Sequence, residues 1–258
     1  MNIKKHQLNE STLAYIDEGA GNPVVLLHGF CGSSQYWEKV IPELAKHNRV
    51  IAPDLPGHGQ SSPLKPGFSI DDLAQKIKEL LDALNIEKVS IFGHSLGGYI
   101  TVAFAEKFNS YLNGFSLVHS TAFPDSDEAK KGREAGVTKI KDEGIHTFID
   151  GLVPKLFSPE HLNESYVEKA KQIGCTTSPQ GAMDTLLAMK NRPDRNHVLQ
   201  NTEVPVILIA GEQDQIVPVE KTFSVSRTNI KQAIIKNAGH MSMYENPDEL
   251  IKLITTFS

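Results

Sequence analysis

The 258-residue sequence predicts an α/β fold, a mostly parallel twisted sheet with helices on both faces and one helical insertion. Three observations predict it. Short runs of β-branched and aliphatic residues recur without alternation, as in parallel strands covered on both sides. Stretches with apolar residues at helical spacing separate those runs. One segment, from Ser120 to about Thr202, carries no strand pattern.

Taken in order, residues 3–18 alternate in part and predict an antiparallel edge. Val24–Leu27 and Val50–Ala52 read as buried strands, with a helix over Gln35–Lys46 between them and Ser34 as its cap. Ile70–Leu84 follows Ser69 and aligns Ile70, Leu73, Ala74, Ile77, Leu80, Leu81 and Leu84 on one helix face. A strand over Val89–Phe92 runs into a helix over Leu96–Phe108, and a strand over Phe115–Val118 follows. Val206–Ala210 and about Ala233–Lys236 supply the last strands. The final helix, Asp248–Phe257, opens just after Pro247, a favoured place for proline. Between the runs Phe115–Val118 and Val206–Ala210, helical stretches are punctuated by Pro124, Gly144, Pro154, Pro159 and Pro179. The expected organisation is a core of residues 1–120 and 203–258 with a helical cap over residues 121–202.

Composition narrows the function classes. Apolar residues at 40% and charged residues at 22% describe an ordinary globular chain. A net charge of −5 and the lack of a Lys/Arg cluster argue against nucleic acid and anionic membrane surfaces as partners. The longest apolar stretch, Val204–Ala210, is far short of the ~20 residues of a membrane span. The first residues include two lysines, expected to be solvated, but no apolar run of ~7–15 residues follows, so no secretory signal is expected. Only Cys31 and Cys175 occur, without metal or redox spacing, which suits a reducing cytoplasmic location. Neither composition nor spacing fixes an oligomeric state.

The strongest chemical signal is Ile91-Phe92-Gly93-His94-Ser95-Leu96-Gly97-Gly98-Tyr99. A strand enters Gly93 and a helix begins directly after Ser95, so the turn is sharp and the hydroxyl stands at a helix N-terminus. Side chains at 93 and 97 would collide with backbone, which accounts for the glycines. A serine needs a base. His240, in Asn237-Ala238-Gly239-His240-Met241, follows the last strand and so reaches the carboxyl edge of the sheet, where open α/β sheets bind ligands. Asp214, in Gly211-Glu212-Gln213-Asp214, follows Val206–Ala210 on that same edge; Glu212 and Asp125 are its rivals as orienting acid.

The G-x-S-x-G turn, with the acid and histidine loops behind it in chain order, resembles the nucleophile elbow and triad of the α/β-hydrolase superfamily. The resemblance extends along most of the chain. His28-Gly29-Phe30-Cys31-Gly32 is similar to the family's oxyanion loop, Asp54-Leu55-Pro56-Gly57-His58-Gly59-Gln60-Ser61 to its structural D-x-x-G-x-G-x-S turn, Gly211, Asp214 and Pro218 to its acid loop, and Gly239-His240 with Glu245-Asn246-Pro247 to its histidine loop. It implies an α/β-hydrolase fold of the capped, single-domain, carboxylesterase-like kind. It implies catalysis by Ser95, His240 and Asp214, with the backbone N–H groups of Phe30 and Leu96 as oxyanion donors. His28, Asp54 and His58 are expected to be structural, and Cys31 to pack.

The expected substrate is a small-molecule ester of small to medium, largely uncharged acyl groups, with Phe30, Phe123 and Met241 in the pocket; Leu96 is a further candidate there, and Met243 is assigned to the core. No cofactor and no metal are expected. An alternative keeps the fold but takes an anionic metabolite, as a C–C or lactone hydrolase or a pyruvate-eliminating lyase; Arg133, Lys139, Arg192 and Arg195 would supply cations, though solvated positions are expected for them. A slow-turnover ligand sensor is the alternative outside enzymology. Dehalogenation is disfavoured by serine at position 95, and perhydrolysis remains open. The fold alone does not choose, because it hosts many chemistries.

Overall fold

The computed structural model describes residues 2–8 and 11–257. Eight strands form one sheet: β1 (Ile3–Leu8), β2 (Ser11–Glu18), β3 (Asn22–Leu27), β4 (Asn48–Pro53), β5 (Val89–His94), β6 (Leu112–Val118), β7 (Val206–Gly211) and β8 (Ile230–Ile235). Their spatial order is β1-β2-β4-β3-β5-β6-β7-β8, with β1/β2 and β2/β4 antiparallel and every later pairing parallel. The predicted edge over residues 3–18 is therefore β1 and β2; residues 9 and 10 of that stretch lie outside the described residues. The apolar runs occupy the centre: β5 and β7 are buried along their whole length, as continuous hydrophobicity demands when helices cover both faces. β8 starts earlier than its apolar end suggests. It is the outer strand, and its Lys231 and Gln232 face solvent, so polar residues conceal its first half.

The helices are α1 (Ile41–Leu44), α2 (Ile70–Ala83), α3 (Leu96–Lys107), α4 (Asp127–Leu152), α5 (Ser165–Cys175), α6 (Pro179–Lys190), α7 (Asn196–Asn201), α8 (Val219–Thr222), α9 (Ser242–Glu245) and α10 (Pro247–Phe257). α2 opens with a reciprocal box in which the Ser69 hydroxyl accepts from Asp72 N–H and the Asp72 carboxylate accepts from Ser69 N–H. The helix expected over 35–46 is instead a 3₁₀ turn over Ser34–Trp37, capped by Ser33, followed by the short α1. Pro42 has no N–H to return to the preceding turn, which breaks the helix there. α4 to α7 are inserted between β6 and β7, and α4 breaks at Gly144, whose φ of 85° no helix accommodates. Among the described residues, no helix is long and apolar enough to cross a membrane. Lys4, expected in solvent, pairs with Asp17 at 3.0 Å on the sheet edge.

Candidate active site

Ser95 stands between β5 and α3 with φ 51° and ψ −111°, a conformation that costs a non-glycine residue of order 1–3 kcal/mol. Four hydrogen bonds hold it there. Its N–H donates to Val118 O at 3.0 Å, and its carbonyl accepts from Gly98 N–H at 2.9 Å, Tyr99 N–H at 3.2 Å and the Ser120 hydroxyl at 2.7 Å. A Cβ on Gly93 would lie 2.2 Å from Gly97 O, and one on Gly97 would lie 2.5 Å from Leu27 O in β3. The turn thus closes only with glycine at both positions.

His240 follows β8. Its N–H donates to Leu156 O at 2.8 Å, and the His94 ring donates through Nε2 to its carbonyl at 2.8 Å. Its Nδ1 donates to Asp214 Oδ2 at 2.8 Å. The other carboxylate oxygen, Oδ1, accepts from Ile216 N–H at 2.8 Å and Val217 N–H at 2.9 Å. Burial by itself would raise the Asp214 pKa; the His240 and His119 rings outweigh it and hold the carboxyl well below the usual carboxylate range. Ser95 and His240 line one cavity of about 60 Å³, without a direct hydrogen bond between them. Such a bond is commonly loose before substrate arrives.

Neither rival acid reaches the histidine. Glu212 accepts from Asn237 N–H at 3.2 Å, and Asp125 is engaged by Arg133 at 3.0 Å and Arg192 at 2.6 Å. Leu96 is the first residue of α3, where an N–H has no partner in its own helix. Neither it nor Phe30 N–H is bonded to another group among the described residues. Phe30 also lines the cavity.

The remaining pocket assignments change. Met241 is wholly buried in the core and does not line the cavity, because its backbone is pinned by Glu245 at 3.0 Å and its side chain turns inward; Met243 is likewise in the core. Phe123 lines an adjoining cavity instead. Arg192 and Arg195, expected in solvent, are buried: Arg195 is chelated by Asp71 at 2.7 Å and Glu106 at 2.9 Å. Arg133 reaches the cavity over Ser95, whereas Lys139 lies on a separate surface cleft.

Several assigned framework residues are satisfied internally. His28 accepts Leu55 N–H on Nε2 at 2.8 Å and faces Gly29 O through Nδ1 at 2.8 Å, the pattern of a neutral ring. Asp54 accepts Ser34 N–H at 2.7 Å and Gln60 N–H at 2.8 Å. His58 Nδ1 meets Pro56 O at 3.0 Å. Burial pushes the Cys31 thiol up, away from reactivity.

One residue escaped sequence reasoning, and a second was met there only as part of a motif. His119, at the end of β6 with φ 48°, brings Nδ1 within 3.3 Å of Asp214 Oδ2 and meets the Ser242 hydroxyl at 2.7 Å through Nε2. Glu245 accepts Gly239 N–H at 2.9 Å, Met241 N–H at 3.0 Å and Ser158 N–H at 2.7 Å, tying the histidine loop to the insertion. In sequence His119 is one histidine of ten and Glu245 only a member of the histidine-loop motif; the contacts reveal what each one holds. His119, Asp214 and His240 are also the one group among the described residues whose donor atoms converge closely enough for a metal ion. Their 2.8 Å nitrogen–oxygen separation is that of a hydrogen bond, so an ion there would displace the contact that orients His240.

Comparison with known proteins agrees with this architecture. The profile of the alpha/beta hydrolase fold matches residues 22–143. A thermophilic esterase from Thermogutta terrifontis, solved with malate bound, superposes with a TM-score of 0.92 at 30% identity, covering 99% of this chain and 97% of that one. An enol-lactonase from Burkholderia xenovorans LB400 superposes at 0.91 with 22% identity, over 98% and 99% of the two chains, a likeness of fold alone. Among curated sequences, the dihydrolipoyllysine-residue acetyltransferase component of an acetoin cleaving system from Pseudomonas putida is 27% identical over 241 residues, which are 92% of this chain and 63% of that protein. The chain therefore spans less than two thirds of that relative's length. The chain belongs to the alpha/beta hydrolase fold superfamily.

Proposed function

We propose that this hydrolase cleaves carboxylic esters with short acyl groups through an acyl-enzyme on Ser95. The observation that carries the reading is the Asp214–His240 hydrogen bond of 2.8 Å beside a serine held at positive φ in the same cavity. Ser95 Oγ attacks the carbonyl carbon while His240 takes its proton; the carbonyl oxygen, now anionic, meets the N–H groups of Phe30 and Leu96. Collapse breaks the bond to the alcohol, which leaves with the proton from His240. Water then attacks the acyl carbon with the same histidine as base, and the acid departs. The helices of residues 121–202 act as a cap, since Arg133, Leu152, Leu156 and Met189 roof the cavity.

The small cavity argues for short chains. At about 60 Å³ it is well below the ~150 Å³ that accommodates benzene. Rates on p-nitrophenyl esters are expected to be highest from acetate to butyrate and to fall at least ten-fold by octanoate. A fluorophosphonate probe is expected to label the protein, and Ser95→Ala to abolish both labelling and turnover. Turnover far below ~1 s⁻¹ on every ester, with labelling intact, supports the slow-turnover sensor instead. Arg133 in the cavity favours one further reading, a lactone or C–C hydrolase for an anionic metabolite.

A further inference from the structure

Beyond the cavity over Ser95 lies a second one of about 260 Å³, and Tyr99, Arg133 and Ile216 line both. The inner space is mainly apolar. The outer one carries three cations, Arg133, Arg192 and Lys221, against a single carboxylate, Asp125, in a chain whose net charge is −5. These cations are not equivalent. Arg192 is framework: it donates to Asp125, Phe123 O and Met189 O and lies 3.8 Å from the Tyr99 ring centre. Arg133 spends Nε on Asp125, and Tyr99 is beside it, but a guanidinium has five N–H donors, more than those neighbours use. Lys221 has no acidic partner within salt-bridge distance among the described residues; its ammonium sits 5.0 Å from the Phe123 ring centre.

Asp125 is therefore shared between two arginines, and one positive charge beyond them faces a partly apolar cleft. Such a charge arrangement recognises an anion, and a forked guanidinium with a nearby ammonium suits a carboxylate. We propose that the outer cavity is a carboxylate subsite, so that the preferred substrates carry an ionised carboxylate at the end remote from the scissile ester. Lys221 and Arg133 receive that group, while the inner cavity holds the reacting end. The expectation of uncharged substrates, drawn from an apolar pocket, changes accordingly. This inference rests on the reading of Ser95 as the ester-cleaving nucleophile.

The test compares matched pairs by pH-stat: monomethyl with dimethyl glutarate, which place the charge on the acyl side, and 3-acetoxypropanoate with its methyl ester, which place it on the alcohol side. In at least one pair the charged ester is expected to lead by ten-fold or more in kcat/KM, chiefly through KM, as a charge-assisted contact of about 1.5–3 kcal/mol implies. Lys221→Gln and Arg133→Gln are expected each to cut that ratio by about ten-fold, Lys221→Arg to restore it, and added salt to reduce it. A ratio near one in both pairs, or ratios untouched by both glutamine variants, overturns the subsite while leaving ester hydrolysis standing. If no ester is cleaved, the hydrolytic reading fails by itself. Calorimetric binding of glutarate then decides the subsite: binding weakened in Lys221→Gln supports it, and no binding to the wild type overturns it.

Discussion

Asp214 receives four contacts on two oxygens, two from backbone N–H groups and two from histidine rings. The backbone pair fixes where the carboxylate points, and the ring pair keeps it charged. Asp214→Asn retains the shape but offers His240 an amide, which permits the wrong tautomer; kcat is expected to fall by up to ~10⁴ with the far-UV spectrum unchanged. His119 acts through Asp214 as a positioning residue. Asparagine tolerates its left-handed backbone and keeps a polar group beside the carboxylate, whereas alanine leaves none. His119→Asn is therefore expected to keep most of the activity, while His119→Ala loses roughly ten-fold or more in kcat and moves the acid limb of the pH–rate profile. Equal losses without a change of profile would reduce His119 to packing.

At the scale of elements, the elbow depends on how closely α3 approaches β3. An alanine Cβ at position 97 would stand 2.5 Å from Leu27 O, where backbone has nowhere to move. Gly97→Ala is expected to cost several kcal/mol by displacing the helix, and to lower kcat in any protein that still folds; soluble protein with wild-type Tm and rate would refute the close approach. This element was legible beforehand because Gly93, Ser95 and Gly97 bring their structural requirement with them. α2 was legible for a similar local reason, its Ser69 cap and its apolar stripe. The segment after Ser34 was not, since Pro42 overrode a helical pattern, and β8 was cut short because an outer strand tolerates polar residues.

For the whole molecule, pH is the sharpest probe. Burial pushes the His28 pKa down to about 4, with the Gly29 carbonyl opposing it, and burial together with His28 pushes His58 down to about 3. Both fold neutral and protonate more readily when unfolded, near pH 6.5. Their folded pKa values lie below the unfolded ones, so the unfolded chain binds more protons between pH 6.5 and 4, and stability falls as pH falls through that window. His28 by itself contributes a loss of about 2 kcal/mol at pH 5 relative to pH 7.5. Urea unfolding across this range is expected to show the decline, and His28→Asn to flatten its slope. A stability independent of pH from 7.5 to 5 would contradict neutral burial of these rings.

Residues tied to local backbone demands were readable from the chain alone: the glycine-flanked serine, the apolar strands, the order of oxyanion, acid and histidine loops, and the helical stretch between β6 and β7. Side-chain destinations were not. Whether Met241 faces substrate or core, whether Arg192 meets water or Asp125, and that His119 stands beside Asp214 depend on contacts between segments far apart in sequence. Local pattern specifies backbone geometry, because sterics and hydrogen bonding act between near neighbours; the direction and charge environment of a side chain are set by whichever distant element packs against it.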